Sequence, residues 1–138
     1  MEPSRRYFPS RAMLNEPSSP LGDININFEV IANIVRLTVL DVEGVVAVGG
    51  NVLRKIESML INKHDVIDGV RLEEEGDGYA VMVRVQVAFG VELAKVAYDI
   101  QNDVRDNLQK MANVSVTRVD VMVDGIRRVG TKQQAPAA

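Results

Sequence analysis

The chain has 138 residues, enough for one domain with its own core, and its 46% hydrophobic, 25% charged and only 4% aromatic residues describe a folded protein packed on aliphatic side chains. A formal charge of −3 and a pI near 5.2 give no global attraction to phosphate backbones, which weighs against nucleic acid as a partner. The absence of cysteine excludes disulfides, thiolate catalysis and cysteine-ligated metals.

Four of the five prolines, Pro3, Pro9, Pro17 and Pro20, precede Leu21 in a stretch rich in Ser and Arg. No periodic apolar face survives there, so residues 1–22 read as a disordered tail. Within it, Arg5-Arg6-Tyr7-Phe8 and Arg11-Ala12-Met13-Leu14 mix cations with apolar anchors, as weak membrane-surface segments do; the plainer reading is a flexible tail. The same stretch lacks a signal-peptide core, and nowhere do about 18 apolar residues run together. A cytoplasmic protein is therefore expected, and the glycosylation-like Asn113-Val114-Ser115 is idle.

The folded domain is expected over residues 23–128, with residues 129–138 as a second tail. Ile24 and Ile26 alternate with polar residues as a short strand does, and Asn27 can cap the helix that follows, with Glu29 in its first turn. Phe28, Ile31, Val35, Val39 and Val42 recur at helical steps, Gly44 ends that run in a left-handed conformation, and Val45–Val48 forms a short strand. After the Gly49-Gly50 turn, Val52–Leu60 reads as a short amphipathic helix that either packs on the core or meets a partner.

Val70 and Leu72 alternate with charges, and Glu73–Gly78 forms a hairpin turn with glycines available for positive φ. Tyr79, Val81, Val83, Val85, Val87 and Phe89 then define the clearest strand, bulky face inward. Beyond Gly90 the period becomes helical: Leu93, Ala97, Ile100, Val104, Leu108 and Met111 form a stripe, with Asn113 as a left-handed cap. Val114 and Val116 differ in parity from Val119, Val121 and Val123, which predicts a bulge or a late strand start near Thr117. The fold class is α/β in two layers (α+β): a small mixed sheet of four to five strands carrying two main helices and one shorter helix.

No constellation carries chemistry. His64, the single histidine, has no second histidine or cysteine to complete a zinc site and reads as a solvated loop residue. Glu73, Glu74, Glu75 and Asp77 lack the ligand order of a calcium loop. Gly44, Gly49 and Gly50 lack the lysine or third glycine of a phosphate cradle, and Ser58 and Ser115 have no base at a suggestive spacing. No catalytic, cofactor-binding or metal-binding residue is expected, and no enzyme.

Two phrases, EVIANIVRLTVLDVEGVVAVGG (Glu29 to Gly50) and VAYDIQNDVRDNLQKMANVSVTRVDVMVDGI (Val96 to Ile126), resemble the alkaline-shock-protein family of bacterial envelope-stress proteins. The likeness rests on Asp41-Val42-Glu43-Gly44-Val45, on Gln101, Val104 and Met111 in the long helix, on Val119, Val121 and Val123 running into Gly125-Ile126, and on Gly69-Val70. It departs at Val35 and Thr38, where alanines are common, at Asn113, usually glycine, and over residues 51–63. The resemblance implies a small cytoplasmic protein of cell-envelope homeostasis, held at the membrane through a partner membrane protein or an added anchor, with no catalytic residues. The function expected is a non-enzymatic scaffold or adaptor, peripheral at the inner face of the membrane, that contacts a protein partner and self-associates; no cofactor or small-molecule substrate is expected. The alternative is a KH-like RNA-binding module, disfavoured by the acidic balance, the few aromatics and the lack of a Gly-x-x-Gly clamp.

Overall fold

A computed structural model describes residues 7–9, 21–50 and 66–129. The described chain forms strands β1 (Tyr7–Pro9) and β2 (Asn25–Asn27), helix α1 (Phe28–Leu40), strands β3 (Val45–Val48), β4 (Val66–Ile67), β5 (Val70–Glu75) and β6 (Gly78–Ala88), helix α2 (Leu93–Ala112) and strand β7 (Val116–Arg127). The Val52–Leu60 helix and His64 lie outside the described residues. Within the stretch read as an N-terminal tail, Tyr7–Pro9 pairs antiparallel with Asn25–Asn27. Pro9 stands last in that short strand, where its missing N–H is tolerated.

β6 organises the main sheet. Its full length pairs in parallel with β7 on one edge, and its other edge is shared in tandem, β5 along Gly78–Val83 and β3 along Val85–Val87, both antiparallel. The two strands meet at Arg84, whose N–H donates to Gly69 O (2.9 Å) and whose carbonyl accepts from Gly49 N–H (3.0 Å). A Cβ on Gly69 would stand 2.7 Å from Gly49 Cα, and one on Gly49 2.6 Å from Asp68 O. Both glycines also take positive φ, 67° and 90°, so this seam admits no side chain. Asp68-Gly69, with φ of 44° and 90°, closes a two-residue hairpin between β4 and β5, the combination a type I′ turn requires. That hairpin is absent from the sequence reading.

β6, α2 and β7 form a crossover unit, which parallel neighbours require. Both helices lie on one face of the sheet. The core joins Phe28, Ile31, Val35, Val39 and Val42 to Ile100, Val104 and Leu108 over Val70, Leu72, Val81, Val83, Val85, Val87, Val114 and Val119. The two-layer mixed sheet with two main helices agrees with the expected fold class.

The punctuation follows the sequence closely. Asn27 Oδ1 accepts from Glu29 N–H at 2.8 Å and so caps α1. Asn113 closes α2 at φ 55° and ψ 35°, in the left-handed region, its N–H turned to the last carbonyls. α1 ends at Leu40, earlier than the apolar run, and Asp41–Gly44 forms a turn in which Gly44 takes φ 101°. The bulge appears at Thr117, the extra residue between the Tyr79–Val116 and Ala80–Arg118 pairs, and a second at Asp124.

Three side chains expected inside are not. Phe89 is 63% exposed because β6 ends at Ala88 and Gly90 turns the chain away at φ 100°. Leu93 and Met111 are also exposed, because the buried row of α2 runs at strict four-residue steps through Val96, Ile100, Val104, Leu108 and Ala112.

Candidate interaction surface

The face of the sheet away from the helices carries β5, β6 and β7 side chains of the opposite parity, and its charges pair both within and across strands. Arg118 Nε stands 3.3 Å from Glu75 Oε1 and its Nη1 3.5 Å from Asp120 Oδ2; Arg84 reaches Asp124 at 3.6 Å and Arg71 reaches Glu73 at 3.1 Å. Thr117 Oγ1 adds a 2.6 Å hydrogen bond to Glu75. The acidic hairpin is thus tied down by arginines, each exposed pair contributing about 0–1 kcal/mol. Among the described residues no group of three or more His, Cys, Asp or Glu side chains is placed to hold a metal ion.

The remaining polar residues singled out in the sequence have structural duties or lie apart. Ser115 is exposed, and its carbonyl accepts from Tyr79 N–H at 2.9 Å. Ser58 lies outside the described residues. Burial first, and the Glu74 carboxylate second, push the Tyr79 phenol above its ordinary pKa; Asp99 holds the exposed Lys95 ammonium above its own through a 2.9 Å contact. Motif residues of the family resemblance serve packing: Val42 and Val104 are buried, Gly44 clears room for Val96 and Val91, and Gly125 sits at the second bulge against Gln86.

Among the described residues, the outer edge of β7 pairs with no strand. Two α2 side chains reach it: Arg105 Nη1 donates to Val116 O at 3.3 Å and Gln101 Nε2 donates to Val119 O at 3.1 Å. These contacts set α2 antiparallel to β7, so falling helix numbers meet rising strand numbers. The sequence offered Gln101 only as a motif residue and gave no hint of Arg105; a row at four-residue spacing beside an edge strand was the available signal.

The chain belongs to the Asp23 family, described by its cell envelope-related function, whose family model matches residues 16–128. This is the alkaline-shock family that the two phrases resemble. Over 114 residues, 83% of this chain and 84% of the relative, it is 28% identical to the uncharacterized protein YqhY of Bacillus subtilis. It is 25% identical over 107 residues to the uncharacterized protein YloU of the same organism, covering 77% of this chain and 89% of that one. A stress response regulator gls24 homolog of Streptococcus pyogenes is 27% identical over 116 residues, 84% of this chain and 63% of that longer protein. No solved structure matches the chain at a significant level. Among the described residues no helix is long and apolar enough to cross a membrane.

Proposed function

We propose that this protein is a non-enzymatic adaptor or scaffold of the envelope stress response, acting through protein–protein contacts and held at the membrane by a partner protein. The observation that carries the reading is the family match over residues 16–128, with its cell envelope-related description. The stress-response name of the streptococcal relative points the same way. Ion pairing supports it physically: on the open sheet face Glu75, Asp120 and Asp124 neutralise neighbouring arginines, which leaves these carboxylates poorly placed for acid–base work.

The test is affinity capture of the tagged full-length chain from its native cells, beside a chain lacking residues 1–22, with captured proteins and nucleic acids identified in parallel. Envelope or membrane proteins recovered without RNA are the expected result. RNA that survives physiological salt overturns the adaptor reading in favour of a nucleic-acid module.

A further inference from the structure

We propose that the C-terminal half of β7 is one wall of a peptide groove, and that an extended, alternately apolar segment of a partner protein carrying an acidic residue adds to it as a strand. The inference rests on the adaptor reading and gives it a place and a chemistry.

The capping of the edge stops halfway. Val116 and Val119 turn their carbonyls outward to Arg105 and Gln101. Strand alternation turns the backbone groups of Val121 and Val123 the same way. Past the extra residue Asp124 the phase resets: Arg127 O faces inward to Phe89 N–H at 2.7 Å, so Ile126 faces outward. No side chain of the described residues caps Val121, Val123 or Ile126. An uncapped edge of this kind is a template for another strand.

The helix changes character at the same point. Arg105 and Gln101 belong to one row of α2, and that row continues at four-residue steps to Ala97 and Leu93. Each step advances about 6 Å, close to the rise of two strand residues, which sets Ala97 and Leu93 along the Val121–Ile126 stretch. The row therefore supplies polar caps at one end and apolar side chains at the other. Exposure on the helix side of β7 grows in step, from 4% at Val119 to 37% at Val123 and 55% at Ile126, with Leu93 at 43%. An open strand edge beside an exposed apolar helix row is the geometry in which main-chain hydrogen bonds give affinity and alternate side chains fill the groove.

Charge selects the occupant. Arg71, Arg84 and Arg118 are neutralised on the sheet, whereas Arg127 and Arg128, at the open end of β7, form no ion pair among the described residues. Arg127 Nε donates to Gln86 Oε1 and Arg128 lies 4.9 Å over the Phe89 ring. A carboxylate beside the groove would meet two unneutralised guanidinium groups. A second copy supplies no unpaired carboxylate from this edge, since Asp120 and Asp124 are already held by Arg118 and Arg84. The groove fits a foreign acidic-apolar segment better than itself.

The test selects peptides from a random displayed library on the full-length protein and measures the winners by fluorescence anisotropy. The variants are Val123→Pro, which removes one outward N–H, Ala97→Arg, which fills the groove, and the charge reversal Arg127→Glu with Arg128→Glu. Expected are alternately apolar peptides with an acidic residue that lose about tenfold or more in affinity with Val123→Pro and Ala97→Arg, and lose their preference for acid with the reversal. No enrichment, peptides without that pattern, or binding unchanged in both groove variants overturns the proposal. A wild-type dimer by sedimentation that Ala97→Arg dissociates assigns the edge to a second copy and also overturns it. Envelope proteins captured as well by Ala97→Arg as by the wild type leave the adaptor standing and remove the groove.

Discussion

At the scale of single residues, the Gly49–Gly69 seam is where the backbone leaves least freedom. Two strands share one edge of β6 only because their ends pass within contact distance, and any Cβ there meets main chain that cannot rotate aside. Gly69→Ala combines that clash with a positive φ and should cost about 3 kcal/mol, whereas Gly76→Ala, with open space around a φ of 60°, should cost about 1 kcal/mol. Urea midpoints of the two variants check the contrast; equal losses would mean that the seam relaxes. Tyr79 makes a second residue-scale case. Its phenol is pushed above the usual 10.0 by burial and then by Glu74, so the folded state resists losing the proton more than the unfolded chain does. The stability this contributes is complete below the unfolded pKa and disappears as pH climbs through the raised value. Tyr79→Phe should therefore soften the fall in urea midpoint between about pH 9 and about pH 11, and parallel pH profiles for the two proteins would refute the assignment.

Between elements, a part-buried polar link joins the two helices. Thr38 Oγ1 donates to Ile34 O at 2.6 Å inside α1 and accepts from Asn107 Nδ2 of α2 at 2.9 Å. Thr38→Val leaves the half-buried Asn107 amide without that acceptor and should cost about 1–2 kcal/mol; adding Asn107→Leu should restore part of the loss. A double-mutant cycle on thermal unfolding gives the coupling, and purely additive changes would dissolve the link. Alternation and helical stripes disclosed the elements because burial acts directly on them: the parity change from Val116 to Val119 called for a bulge or a late strand start near Thr117, and the bulge lies there. They did not disclose that β3 and β5 share an edge, because a period of two names a face and never a neighbour. Nor did they show that Phe89 and Met111 lie beyond the covered area, because the end of a layer leaves no mark on its own pattern. The groove is the same kind of omission: Gln101 and Arg105 look like ordinary polar helix residues until β7 is placed beside them.

For the whole molecule, stability rests on one sheet and two helices, with the β1–β2 ribbon attached at its margin. Among the described residues, α1 and α2 cover one face, β6 carries three partners, and the buried residues form one connected cluster. A two-stranded antiparallel ribbon is marginal by itself, and among these residues the backbone pairing of β1 with β2 is all that ties it on. The open face adds little either, because its ion pairs are exposed and screened. It follows that the family-matched body should fold without the first strand. A chain beginning at Leu21 should keep its cooperative unfolding and lose about 1 kcal/mol, or about 4 °C in Tm, while Val83→Ala, at the centre of β6, should lose about 2–3 kcal/mol through the cavity it leaves. Calorimetry of both variants makes the comparison. If removing residues 1–20 broadened the transition or cost as much as the core cavity, the N-terminal strand would have to be counted as part of the cooperative unit rather than as its fringe.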